Sequence, residues 1–442
     1  MRWMFVALIA LLMTSDFLGH NPGLGPGLSV KNAMLYVIAL ALVFRTALTG
    51  NFKLRMPGLH MAWAIWIGYA ILTFFTAWLV IHYRGYEALQ SAIYLKSDLI
   101  DMAIYCFVVF YGVQNEKDYR TVMNALLATV GISSILTLTD VAGLTGLGTK
   151  VGASGAEADR VFGQFGHANE TAAMLACMLP GLVVTLMGNR GFWRLFWFGC
   201  ATATALVFVL TVSRGGYVAM ALGYPIAAYL FRRALPPGRI ATWGLAGVTL
   251  AVVGAVTVAI MDPRATAAIT DRVFGIGSMG MSEASSGRTD IWAQAFNAMM
   301  ADPITLLTGF GWNVYSTMPT IFATHNTYLD QWFNLGLLGV GVYLFIEIQT
   351  IATAKRAAEQ ATPPLRGDMM AYVFGMITMS IAVTFANLYT PKPYLWMYIG
   401  LVMRGALFVF DKNAAAAPVT APPVRLGVGV SLRKASGAQA PT

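Results

Sequence analysis

Charge is what this 442-residue chain has least of. Only 11% of its residues are Asp, Glu, Lys or Arg, and 57% are hydrophobic. Soluble domains carry about 25% charged residues, so a water-exposed globular surface is excluded. Cysteine is scarce too. Cys106, Cys177 and Cys200 all fall in apolar runs, which argues against a disulfide framework and leaves them as small packing residues. Acidic residues are scattered, with no Asp-x-Asp, so no metal cluster is expected. No internal repeat stands out, which weighs against a transporter built from two related halves around a midplane site.

Long apolar runs are what the chain does have. Each is about 20 residues, enough to cross a bilayer, and the mean hydropathy is +0.64. The expected fold is an all-α polytopic membrane protein with about twelve transmembrane helices, in one domain over 1–411. The spans read as roughly 2–18, 30–48, 59–81, 98–114, 121–139, 168–188, 195–212, 215–231, 240–261, 333–353, 369–389 and 394–410. No small-x-small cleavage site follows the first run, so it is expected to be an uncleaved anchor. Residues 412–442 are rich in Ala and Pro and read as a disordered tail.

The basic residues orient the bundle. With the N-terminus in the cytoplasm, eighteen Lys and Arg lie inside and ten outside, with Arg404 inside the last span. Positive charge concentrates on the cytoplasmic side of membrane proteins, so both termini are expected there. The net charge of +9 is then mostly a topology signal, and no nucleic-acid partner is needed to explain it. Two long segments fall outside, about 140–167 and about 262–332.

Candidate site residues gather on that outer side. In Thr324–Gly341, His325 and Asn326 precede nine residues, then Gly336 and Gly339. The positive end of a helix dipole disfavours imidazolium, and a neutral imidazole can take the proton of a hydroxyl as it attacks; a loop-bonding histidine is the alternative. Gly336, Gly339 and Gly341 read as close helix packing. In 288–300, Ile291, Trp292, Ala295, Phe296, Met299 and Met300 share one helical face, with Ser286 as a plausible N-cap. That segment reads as an amphipathic helix on the membrane surface or the bundle. Arg288 falls in its first turn, where helix N–H groups and a guanidinium fork both suit phosphate oxygens. The alternatives are snorkelling or pairing with Asp290 or Asp271. Arg214 stands likewise at the outer start of a span, before Gly215 and Gly216, which would let backbone or ligand approach closely. His167 and Asn169 begin another span on the same side and are candidates for a groove. Arg160 and Arg272 are candidates for an acceptor's phosphates, and Asn326 joins that set. Glu347 and Arg404, at similar depths, are expected to pair.

Taken in order, these motifs resemble the O-antigen ligase and polymerase superfamily. His-Asn, nine residues and Gly-x-x-Gly is similar to that family's last large periplasmic loop. GRTDIW with a following Pro and GFGWN resembles the segment upstream of it, and SRGG resembles an arginine at a periplasmic helix start. The motifs cover roughly 160–345. GQFGHANETAA departs from the pattern, with His167, Ala168 and Asn169 where members often carry Asn-Pro-Asn. The resemblance implies an inner-membrane glycosyltransferase whose donor is an undecaprenyl-pyrophosphate-linked glycan, with Arg214 and Arg288 on the pyrophosphate and His325 activating the acceptor hydroxyl. With the acids scattered, the reaction is expected to need no metal or cofactor, arginines taking the ion's place, and a direct displacement would invert the anomeric centre. A ligase would use a lipid A-core acceptor and a polymerase a second lipid-linked glycan; a transporter or flippase is the remaining alternative. One test bears on the whole topology. Alkaline phosphatase, active only outside the cytoplasm, is expected to be active when fused after residue 146 and silent after residue 189, and the reverse pattern would invert the bundle.

Overall fold

The computed structural model describes residues 1–18, 22–50, 53–146, 160–234, 287–317, 324–388 and 392–416. Among these the chain is an all-α polytopic membrane protein; the one sheet is a short hairpin of β1 (Gly23–Gly25) and β2 (Leu28–Ser29). Among the described residues seven helices are long and apolar enough to cross a membrane: Val30–Thr49, Pro57–Ile81, Glu116–Val141, Ala168–Gly188, Gly191–Leu210, Thr327–Gln360 and Lys392–Ala415. Shorter helices accompany them. In chain order the helices are α1 (Arg2–Leu18), α2 (Val30–Thr49), α3 (Pro57–Phe75), α4 (Ala88–Leu95), α5 (Asp101–Gly112), α6 (Glu116–Val141), α7 (Ala168–Gly188), α8 (Gly191–Leu210), α9 (Arg214–Leu230), α10 (Arg288–Ala301), α11 (Ile304–Thr308), α12 (Thr327–Gln360), α13 (Leu365–Ala382) and α14 (Lys392–Ala416). The expected span 240–261 and the loop residues 262–286 lie outside the described residues.

Small residues set the helix spacing. A side-chain carbon at Gly375 would overlap the Cys177 carbonyl, one at Gly400 the Cys106 carbonyl, and one at Gly131 the Cys200 side chain. Each buried cysteine therefore faces a glycine of a neighbouring helix, which fits membrane packing, where close backbone approach and dispersion replace the hydrophobic drive. α7 packs against α8 and α13, α13 also against α9 and α12, and α14 against α5.

α12 departs from the expected span at 333–353. It starts earlier, at Thr327, and its helical geometry breaks at Gly336, with φ 63° and ψ −163°. The hydroxyl of Tyr328 donates to Glu347 Oε2 at 2.9 Å, and the Tyr328 and Tyr343 rings lie 5.7 Å apart. Nineteen residues of straight helix would separate the first pair by about 28 Å at 1.5 Å per residue. The two parts, 327–335 and 337–360, therefore fold back on each other. The break frees helix carbonyls, which find donors in the segment after α11: Phe310 N–H bonds Phe333 O at 2.8 Å and Gly311 N–H bonds Asn334 O at 2.9 Å. Gly336 is thus more than a packing residue, because a side-chain carbon there would also meet the Leu307 carbonyl and the Gly309 nitrogen.

Two further expectations are corrected. Glu347 is not paired with Arg404. Its bonded partner is Tyr328, whereas Arg404 Nε donates to Val113 O at 2.7 Å and its guanidinium lies over the Phe408 ring. The chain also stays helical beyond Asp411, to Ala416, so the start of the expected disordered tail is an extension of α14; 417–442 lie outside the described residues. Gly336→Ala should be severely destabilising, because its dihedrals cost a non-glycine residue roughly 1–3 kcal/mol before the clash is counted. Thermal unfolding in detergent should show a clear drop, and a wild-type midpoint would contradict the break.

Candidate functional site

His167 is the N-cap of α7. Its extended backbone lets the ring turn back so that Nδ1 accepts the Asn169 N–H at 3.2 Å. The ring nitrogen that accepts carries no proton, so the remaining N–H is on Nε2. Phe162 stacks with this ring at 6.1 Å and 10°. His325 stacks with it as well, at 6.2 Å and 25°. Two histidines from separate sequence motifs thus share one small space.

His325 sits just before Asn326, the N-cap of α12, with a φ of +48°. A non-glycine residue in that region needs neighbours that hold it there. Both sides are held. The buried Thr324 accepts, through its carbonyl, the Trp292 Nε1–H at 2.7 Å, and its hydroxyl bonds Asn326 O at 3.1 Å. After the histidine, Thr327 N–H donates to Val383 O at 2.9 Å and Thr327 Oγ1 to Ala386 O at 3.1 Å. The helix start seen in the sequence is therefore real, but it belongs to the folded-back part 327–335 and not to the span itself.

Arg214 is the first residue of α9, after the N-cap Ser213, whose hydroxyl accepts Gly216 N–H at 3.2 Å and donates to Asn169 Oδ1 at 2.9 Å. The two glycines serve packing. A side-chain carbon at Gly215 would meet Phe385 at 2.6 Å, and one at Gly216 would meet Ala172 of α7 at 2.8 Å. Arg288 is the first residue of α10, one helical turn before Trp292. The N-cap there is Gly287, with φ 76° and no side-chain cap; the expected cap, Ser286, lies outside the described residues. The amphipathic face is also narrower than expected. Ala295 and Met299 are buried against Phe333, while Phe296 and Met300 stay exposed.

Contacts link part of the predicted set, Trp292 to Thr324, His325 to His167, His167 to Asn169 and Asn169 to Ser213; Arg288 stands one turn before Trp292 and Arg214 next to Ser213 in the sequence. The supporting candidates take more structural parts than expected. Asn326 Oδ1 accepts Leu329 N–H at 3.1 Å as a helix cap. Arg160 is 4% exposed and bonds Thr211 O and Asn169 Oδ1. Arg272 lies outside the described residues. Sequence reasoning missed Trp292 as an anchor and Ser213 as a link. The first was visible only as an apolar face position, and the second was the unremarked serine of SRGG. An open groove of about 550 Å³ runs between α10 and α12 beside Asn326, lined by Trp292, Phe296, Tyr328, Leu329 and Trp332.

Residues 199–344 match a family model described as O-Antigen ligase. The match covers about a third of the chain and includes Arg214, Arg288 and His325; Arg160, His167 and Asn169 precede it. No curated protein matches the chain. Trp292→Phe keeps a ring but removes the donor to Thr324, at an expected cost of about 1 kcal/mol for a lost hydrogen bond. Thermal unfolding in detergent should show a small drop as the His325 turn loosens, and unchanged stability would show that α10 is not tied to it.

Proposed function

We propose, for a chain whose membership of the O-antigen ligase and polymerase superfamily rests on residues 199–344, that it transfers a glycan from undecaprenyl pyrophosphate to a lipid A-core acceptor at the periplasmic face of the inner membrane. Membership implies a glycan-transferring ligase or polymerase; donor, acceptor and face are the further reading. The observation that carries it is the stacking of His325 on His167, the N-cap of α7, which joins the histidine motif to the bonded His167–Asn169–Ser213 cluster just before Arg214.

In this reading the acceptor hydroxyl oxygen attacks the anomeric carbon while His325 takes the hydroxyl proton. The bond from that carbon to the pyrophosphate oxygen breaks, and undecaprenyl pyrophosphate leaves. A direct displacement inverts the anomeric centre. Negative charge grows on the leaving group, and prepositioned cations lower the barrier for such charge. Arg214 and Arg288 are those cations, each the first residue of a helix whose positive dipole end adds to the effect. The scattered acids are consistent with arginines in the place a metal ion takes in other transferases. The lysine and arginine asymmetry supports an outward-facing site with both termini in the cytoplasm.

His325→Ala should abolish transfer and strand long glycans on undecaprenyl pyrophosphate while the lipopolysaccharide ladder disappears. A single repeat unit left on the core would identify a polymerase instead, and unchanged glycans would reject both. Arg214→Lys and Arg288→Lys should each lower activity at least tenfold, because lysine keeps the charge but lacks the bidentate fork. Full activity in both would remove the pyrophosphate assignment.

A further inference from the structure

Val212 is buried and β-branched, and its φ is +48°. Side chains of that shape avoid the left-handed region and stay there only where surrounding contacts over-determine the backbone. Arg160, with Asn169 as intermediary, ties down both flanks. Arg160 Nε donates to the carbonyl of Thr211, just before Val212, at 3.0 Å. Arg160 Nη2 donates to Asn169 Oδ1 at 2.8 Å, and the same oxygen accepts the hydroxyl of Ser213, just after Val212, at 2.9 Å. Next to Arg160, the Val161 N–H bonds Leu210 O at 3.2 Å. The guanidinium thus holds the turn between α8 and α9 directly before Val212, at the Thr211 carbonyl, and indirectly after it, through the Asn169 oxygen it shares with Ser213; the residue that follows the turn is Arg214.

We propose that Arg160 is a positioning residue: it holds the Val212 turn in its left-handed conformation and so fixes where the Arg214 guanidinium meets the donor. This rests on the reading of Arg214 as a pyrophosphate ligand. Near-complete burial removes Arg160 from the surface where a substrate would approach; its Nε is committed to the turn and one terminal nitrogen to Asn169 of α7. A planar fork can hold two acceptors at fixed separation, which a lysine or glutamine cannot. The sequence places a glycine-rich stretch at 151–155 before this arginine and an ordinary helix end before Val212, so neither half of the clamp announces itself alone.

The test is a rescue, read on purified protein with an undecaprenyl-pyrophosphate-linked glycan as donor. Arg160→Gln should raise the KM for donor at least tenfold. Val212→Gly in that background should bring it back to within threefold of the native value, because glycine takes positive φ without help. Val212→Gly alone should be near native. An unchanged KM in Arg160→Gln overturns the proposal. So does a defect that Val212→Gly leaves in place, which would put Arg160 on the substrate. If Arg160→Gln does not accumulate in membranes, Asn169→Ala, which removes the shared acceptor, takes its place under the same rescue criterion. The two failures are separable. An intact KM in Arg214→Lys removes the role this proposal rests on, whereas an impaired Arg214→Lys with an unrescued Arg160→Gln overturns the clamp alone.

Discussion

The geometry of the candidate site depends on finding partners for a broken helix. When α12 turns back at Gly336, the carbonyls that end its first part need donors, and little water is available beside a membrane span to supply them. The amides of Phe310 and Gly311 fill that need, which docks the segment after α11 onto the break. From there the arrangement follows. The folded-back part carries Tyr328 towards Glu347, holds its N-cap Asn326 against the end of α13 through Thr327, and leaves His325 between that cap and the buried Thr324. Glycine at 336 is the condition for all of it, since no other residue tolerates both its dihedrals and the approach of the Leu307 carbonyl.

The site itself is an assembly of helix ends. His167, Ser213 and Asn326 are N-caps of α7, α9 and α12, and each caps with its own side chain. Helix starts leave N–H groups without partners, so polar side chains collect there for structural reasons. Here those same side chains bond or stack across helices, which couples local capping to tertiary geometry. Strained backbone marks the same places: of the five described non-glycine residues with positive φ, Val212 and His325 each stand immediately before one of these caps.

Hydropathy made the fold class readable, because apolar runs of span length have few alternative explanations. Topology and motif order singled out Arg214, Arg288 and His325, and the structure puts each at or just before a helix start. The break in α12 was not. Apolar residues continue on both sides of Gly336, and a glycine in such a run reads as packing. The Glu347–Arg404 pairing failed for the same reason, since estimating depth by counting residues assumes straight helices. Tyr328, distant in sequence on a straight rod, reached the carboxylate first. His167 was recognised as a candidate, but its capping bond was not, because histidine is not among the residues favoured at N-caps. Arg160 was taken for a possible ligand because an arginine in a long glycine-rich segment gives no sign that it will be buried.

The cysteine–glycine contacts between helices bear on how this protein can be studied. Cys106, Cys177 and Cys200 are buried free thiols, and a glycine of a neighbouring helix packs against the Cys106 and Cys177 carbonyls and the Cys200 side chain. Buried structural thiols are chemically inert, so the native chain is already a silent background for maleimides and spin labels. A single reporter cysteine placed at an exposed helix end can be read without first stripping the bundle of its own, and without losing the close approaches those three residues maintain.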